Sequence, residues 1–505
     1  MVSLAYETDI EVLRQVAQMQ EREIQRLYER LRVVCTMAAR QSGDESLLQR
    51  ELLKVEEQLA RCQHELYGRS SEKRPHACAA GEPRPPRRGH GPKEQPRLPV
   101  VEQLYTLDDA DKTCPSCGGE LVPWKGQFEE SKDVHMIERQ VFVRKHKRQK
   151  YRCKCGNCIE TALGPLKLRP DNHYSIEFAV AIAVAKYLDH IPLERQVRML
   201  RRLGLEVESQ TLWDQVEMVA RLLHHVPDEI WAHLIAQKVV CADETPWRML
   251  VKGDEGKKSW YVWAVCGTDA AFYRIQGTRS AEGARALLGD FAGVLMTDGY
   301  KAYDRYKREG GRFTQAHCWS HVRRAFLEAA RFYPREGHAV VNLIDELFRI
   351  ERLAGCGPPN DPGRVELTRK LRAERSEPVI RALEVWGMEI PRRFLPEATI
   401  TKAAKYMAGL WPGLVRFLED PEIPLTSNAV ERSLRGVVVG RKNFYGTKSV
   451  RGADVAALFY TLFESAKLCG LEPAAYVRDA VVAKLNGEKV LLPHEVQGQR
   501  LNAAA

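Results

Sequence analysis

Three acidic residues sit in contexts that suit metal-assisted chemistry. Asp243 lies in Val239-Val-Cys-Ala-Asp-Glu-Thr-Pro-Trp247, Asp298 in Val294-Leu-Met-Thr-Asp-Gly-Tyr300, and Glu431 in Ser427-Asn-Ala-Val-Glu-Arg-Ser-Leu-Arg435. The first two follow apolar runs that read as buried strands, and the third sits on a helical stretch just before an arginine. Two carboxylates at strand ends and a third from a packing helix are the hard oxygen ligands that a pair of magnesium (or manganese) ions needs for in-line displacement at phosphorus. Nucleic-acid strand cleavage is the leading expectation. Glu244 adjoins Asp243, but successive strand residues face opposite sides, so only one of the two can face the metals. Around the last acid, Arg432, Arg435, Arg441 and Lys442 would neutralise phosphates, with Phe444 and Tyr445 available to stack on a frayed base. A solvated helix face is the alternative for each cation. His317, Cys318 and His321 suggest packing and hydrogen bonds that orient the core more than a zinc site, since no fourth ligand is evident.

A second group of residues suits zinc. Cys114-Pro-Ser-Cys-Gly-Gly119 is followed by Tyr151-Arg-Cys-Lys-Cys-Gly-Asn-Cys158, and two such knuckles can supply four sulfurs to one tetrahedral ion. Cys114, Cys117, Cys155 and Cys158 are the expected ligands, with Cys153 as the alternative. The alternating stretch 134–143 between them fits ribbon strands. The basic run from Arg144 to Lys150 is either a phosphate contact or a solvated face.

The elements that must position these groups can be read from periodicity. A heptad seam runs in one phase from Ile10 to Leu66 and from Leu13 to Cys62, interrupted by Gln20, Gln41 and Glu45. It predicts either a self-associating coiled coil or an amphipathic helix packed on the rest of the protein. The stretch from Gly68 to Pro99 intersperses basic residues with prolines and glycines, as in a flexible tether. Helices are predicted over 176–188, 193–203 and 210–223; the break at Gly204 and the start at Ser209 suggest a helix-turn-helix, although ordinary helical packing explains the same pattern. Strands are predicted over 238–242, 260–266, 271–275 and 294–297, with a helix over 280–288. Helical texture then runs almost to Asp420, broken between Gly355 and Pro362.

The expected organisation is a multidomain α+β chain. It comprises a coiled coil (1–67), a basic linker (68–100), a DNA-binding zinc ribbon (101–165), a helix-turn-helix-like unit (170–230), an α/β core in two parts (235–335 and 425–470) around a helical insertion (336–424), and a C-terminal tail (471–505). The chain has 505 residues and a net charge of +10, which favours an anionic partner such as double-stranded DNA. Its longest apolar run, Phe178 to Ala185, is far short of the roughly 20 residues that cross a bilayer, and the acidic start does not resemble a signal peptide. No membrane association and a cytoplasmic, nucleoid-associated protein are therefore expected. Thirteen cysteines in that compartment favour thiols and metal ligands over disulfides.

Several of these motifs occur together, in order, over about residues 65–479. They are Leu66-Tyr-Gly-Arg-Ser-Ser-Glu-Lys73, the cysteine knuckles, Asp243-Glu-Thr-Pro-Trp247, Thr297-Asp-Gly-Tyr-Lys-Ala-Tyr303, His317-Cys-Trp-Ser-His-Val-Arg-Arg324, Ser427 to Arg435, and Gly440-Arg-Lys-Asn443. The set resembles transposases of the insertion sequence 66 family. The resemblance implies a ribonuclease H-like catalytic core, a DDE triad at Asp243, Asp298 and Glu431, and cleavage and strand transfer at the terminal inverted repeats of a mobile element. It also implies an oligomer and accessory proteins from the same element. Cys318 and His321 match a Cys-x-x-His string that many such enzymes with helical insertions carry. The extra cysteine in Cys153-Lys-Cys-Gly-Asn-Cys158 departs from the usual paired spacing, and Val430 stands where the family often has alanine. The competing function is a catalytically inactive or domesticated DNA-binding repressor.

Overall fold

The computed structural model describes residues 140–152, 159–250, 260–355 and 361–504, most of 100–123, and scattered positions between 22 and 57. The heptad seam and the basic linker lie almost wholly outside the described residues, as do Cys153, Cys155 and Cys158. The chain divides into two compact units, Tyr67–Gln140 and the remainder.

In the smaller unit, Cys114 and Cys117 occupy a tight turn. The Gly118 N–H donates to the Cys114 carbonyl (2.9 Å) and the Cys114 N–H to the Gly119 carbonyl (2.8 Å). Gly118 closes the turn at φ +72°, a left-handed conformation that disfavours residues with a Cβ.

In the part of the larger unit that follows residue 140, a two-stranded antiparallel ribbon comes first, β1 (Lys150–Arg152) and β2 (Ile159–Thr161). Four helices follow: α1 (Ile176–Tyr187), α2 (Leu193–Arg202), α3 (Ser209–Leu222) and α4 (Val226–Ile235). These share one continuous apolar core with the sheet behind them, through residues such as Ile182, Leu212, Val219 and Ile230.

That sheet contains β3 (Val239–Trp247), β4 (Trp260–Cys266), β5 (Ala271–Gln276), β6 (Val294–Thr297) and β7 (Thr314–His317), in the order β5-β4-β3-β6-β7. The β5-β4-β3 side is antiparallel and the β3-β6-β7 side parallel. Parallel neighbours need crossovers, and short helices supply them: α5 (Ala281–Leu288) leads into β6, and α6 (Lys301–Arg308) into β7. The predicted strands 260–266 and 294–297 form with those bounds. β3 runs further than predicted, so Asp243 lies inside the strand and not at its end. It continues because Thr245, Pro246 and Trp247 still pair with Val262, Tyr261 and Trp260.

Both faces of the sheet are covered. Trp263 of β4 meets Tyr303 of α6 edge-on, with ring centroids 5.9 Å apart. From β5, Tyr273 packs toward Tyr460 of α13 (Val450–Leu468) on the opposite face. A helical block follows β7: α7 (Trp319–Ala329), α8 (Pro334–Leu353), α9 (Pro362–Leu371), a short π-helical stretch (Arg372–Ser376), α10 (Glu377–Arg393) and α11 (Thr399–Leu414). Next comes α12 (Asn428–Phe444), which returns to the sheet and brings Glu431 with it. Residues 471–505, expected only as a tail, form α14 (Pro473–Leu485) and α15 (Pro493–Ala504), and Tyr476, Val477 and Val481 are buried.

Two devices fix the position of α12. Before it, Arg372 is 3% exposed and fully engaged: its guanidinium pairs with Glu351 (2.8 Å) and donates to the carbonyls of Phe417, Asp420 and Ile423. After it, Tyr445 caps the helix at φ +62°, and the chain stitches to the extension of β3, Leu250 N–H donating to Thr447 O and Thr447 N–H to Arg248 O. Gly446, at φ +114°, lies against the Arg248 carbonyl, where any Cβ would collide.

Candidate active site

The strand register brings the two aspartates together. β3 and β6 are parallel with Cys241 opposite Met296, so two residues further on Asp243 stands beside Asp298. Asp298 begins the turn after β6, where its Oδ1 accepts the Tyr300 N–H (2.8 Å). Gly299 completes that turn at φ +89°. The turn is held from α11: the Tyr406 hydroxyl donates to the Asp298 carbonyl (2.7 Å).

Asp243 and Glu244 diverge as strand alternation requires. Asp243 shares a cross-strand row with Ala264 and Tyr273, on the side covered by α12 and α13. Glu244 points to the other side, where its side chain is 1% exposed. There it accepts from Arg279 (2.8 and 3.1 Å) and from the Tyr303 hydroxyl (3.2 Å). Arg279 also lies over the Tyr300 ring, 4.2 Å from its centroid. Glu244 is thus consumed by an ion pair with the part-exposed Arg279.

Among the described residues, no such cation pairs with Asp243. Burial, then the neighbouring charges of Glu244, Asp298 and Glu431, push its carboxyl up to about 7, against the single lowering effect of the Glu244 N–H. A half-buried carboxylate among carboxylates, without a basic partner, is the electrostatic setting that a divalent cation relieves.

Glu431 enters from the first turn of α12, where the helix dipole favours an acid. Ser427, the residue before that helix, does not cap it with its side chain; its hydroxyl instead donates to Glu431 Oε1 (3.2 Å). The Ser427 N–H donates to Cys318 Sγ (3.3 Å), and His321 Nδ1 lies 3.9 Å from Glu431 Oε1. Burial raises the Cys318 thiol, but contacts with His321 and Ser427 outweigh it and the net shift is downward. The His321 imidazole is shifted up, first by Cys318, against burial, and further by Glu431 and Asp298. His317 takes no part in this group: its Nδ1 meets the Leu410 carbonyl (3.1 Å), while Trp319 Nε1 donates to Leu414 O (2.9 Å), and both anchor α11 to the end of β7.

The basic residues of α12 separate into two sets. Arg432, Arg435 and Lys442 are exposed, and Arg435 and Lys442 lie roughly one and three turns beyond Glu431 on its side of the helix. Arg441 instead turns to β3, donating to Thr245 Oγ1 (2.8 Å) and to the Pro246 carbonyl. Phe444 is partly buried, with Lys186 Nζ 4.4 Å from its ring centroid, whereas Tyr445 is 60% exposed.

Sequence reasoning missed Arg279, Tyr303, Arg372, Tyr406 and Ser427. Of these only Ser427 carried a local signal, as a small hydroxyl residue four positions before Glu431.

Comparison with known proteins fits this geometry. Residues 173–455 match the family described as Transposase IS66 family. The chain belongs to that family. Residues 111–156 match the zinc-finger binding domain of transposase IS66, a span that includes Cys114, Cys117, Cys153 and Cys155 and ends before Cys158. Family and domain together make this IS66 chain a transposase with a DNA-binding zinc-finger module. Similar proteins include two uncharacterized proteins of Sinorhizobium fredii. One, y4jD, is 29% identical over 439 residues, covering 83% of each chain. The other, y4hP, is 27% identical over 429 residues, covering 80% of this chain and 76% of its own. Among the described residues, no helix is long and apolar enough to cross a membrane.

Proposed function

We propose that this IS66-family transposase cleaves and joins DNA at the terminal inverted repeats of its element, and that Asp243, Asp298 and Glu431 hold the divalent ions for both steps. The observation that carries the reading is the half-buried Asp243 carboxyl, set among acidic neighbours with no basic partner among the described residues. Three carboxylates suffice for magnesium or manganese, which keep water and substrate oxygens as their other ligands. When bound, such ions polarise the phosphodiester and activate the attacking oxygen, first of water and then of a 3′ hydroxyl. The sheet order, three antiparallel strands followed by two parallel ones, with acids on β3, after β6 and on a returning helix, supports a ribonuclease H-like core.

The chain's own groups divide the remaining work. Asp243 must be ionised to bind a cation. Ser427 donates to Glu431 and fixes its rotamer, while Arg435 and Lys442 meet phosphates on the side of α12 that carries Glu431. Glu244, Arg279 and Tyr303 keep β3 packed on α6. The zinc-finger module would recognise the element's ends, with zinc on Cys114, Cys117, Cys155 and either Cys158 or, as the alternative, Cys153. In the Cys114 turn, hydrogen bonds from the Ser116 and Cys117 backbone lower the thiol, as suits a thiolate ligand. Zinc content measured for Cys153→Ser and Cys158→Ser should fall in one and hold in the other, and so name the fourth ligand.

The deciding experiment uses labelled DNA carrying the element's ends, with magnesium. Asp243→Asn, Asp298→Asn and Glu431→Gln should each lower nicking on the order of a thousandfold or more while retaining end binding. Specific binding without cleavage by the wild type, with the element's accessory proteins added, would favour a repressor.

A further inference from the structure

Cys318, His321 and Glu431 come together although two of them lie on α7 and its cap and the third on α12. One ligand atom from each lies within 4.8 Å of the other two. The trio has the features of a built site. Cys318 is fully buried and its sulfur accepts the Ser427 N–H, the contact that commonly steadies a metal-bound thiolate. His321 Nδ1 is buried without a hydrogen-bond partner among the described residues and lies 3.9 Å from Glu431 Oε1. Buried nitrogens left in this state commonly mark an ion or water position. Cys318 Sγ, an imidazole nitrogen and a carboxylate oxygen are the mixed donor set of three-ligand zinc sites, with the fourth position open to solvent or substrate.

We propose that Cys318, His321 and Glu431 form a second metal site, selective for zinc-like ions, that competes with the magnesium centre for Glu431. This rests on the function proposed above only in that Glu431 is shared. Sulfur and imidazole donors favour zinc, cobalt or nickel over magnesium, which prefers oxygen ligands alone. A zinc-like ion on the trio draws the Glu431 carboxylate toward Cys318 and His321 and away from Asp243 and Asp298. Magnesium-dependent cleavage would then be blocked by zinc beyond what the zinc-finger module takes up.

The test is cobalt(II) titration of the full chain, read by thiolate-to-cobalt absorbance and bound metal. The wild type should take up one equivalent more than Cys318→Ser. Because removal of the buried Cys318 thiol can disturb folding, Glu431→Gln is the second variant; its side chain is 28% exposed. It should bind this equivalent on the order of tenfold more weakly or worse, leaving uptake at the Cys114 turn unchanged. Identical uptake and spectra in all three proteins would overturn the proposal. The two readings fail separately: lost cleavage in Glu431→Gln with unaltered cobalt uptake removes this site and keeps the triad. Lost uptake with full cleavage supports this site and removes the triad.

Discussion

Asp243 carries the most informative electrostatics in the protein, and its protonation sets a pH dependence. Its carboxyl is about 7 in the fold, against 3.8 for an ordinary aspartate. Since the folded value is raised, the folded chain holds a proton between those values that the unfolded chain has lost. Stability from this group is therefore fully present below the ordinary value and is lost as pH rises through about 7. A bound cation reverses that loss. At pH 8 a hundredfold excess of magnesium over its Kd should raise Tm on the order of 5 °C, and at pH 5 by far less. Differential scanning calorimetry at the two pH values checks this, and Asp243→Asn should abolish the difference. Strand alternation was enough to predict that Asp243 and Glu244 part company. The resemblance already placed the triad at Asp243; what engages Glu244 needed Arg279 and Tyr303, which lie distant in sequence and show no spacing that links them to it.

At the level of elements, α12 matters through what holds it. Arg372 joins the helical block to the 417–423 turn that feeds α12, and five hydrogen bonds satisfy it. Its truncation strands Glu351 and three carbonyls. Arg372→Ala should lower stability by about 3–5 kcal/mol, measured by urea unfolding, and reduce cleavage with it. Strands β4 and β6 were legible because Trp260–Cys266 and Val294–Thr297 are nearly all apolar, as befits strands covered on both faces. β7 was not, because Thr314-Gln-Ala-His317 is short and polar and joins the sheet only by pairing with β6. The same limit applies to Arg441: its sequence placement among α12 cations suggested a phosphate contact, while its guanidinium reaches Thr245 and Pro246. Helices α14 and α15 were missed because 471–505 mixes small and polar residues without a strong stripe, and α13 supplies the surface that α14 covers.

Over the whole molecule, net charge bears on how DNA is approached. A net charge of +10 draws nucleic acid nonspecifically, so binding should weaken steeply with salt. Replacing Arg435 and Lys442 by alanine should reduce the slope of log K against log salt by about two if both meet phosphates. Replacing Arg441, which is bound to β3, should lower stability and leave that slope nearly unchanged. Fluorescence anisotropy across a salt series separates the two.

The order in which the acids occur along the chain has a consequence for biosynthesis. Asp243 and Asp298 are on one side of the helical block, and Glu431 arrives only on α12, after Arg372 and the 417–423 turn are in place to receive it. A ribosome that has translated the sheet has still not made the third acid of the proposed centre. Premature termination between Asp298 and Ser427 would therefore release a polypeptide that retains the zinc-finger module and the first two acids but lacks the third. If the three acids cut as proposed, messages cut short within the helical block would encode DNA-binding chains that lack the third acid and compete with the full-length transposase.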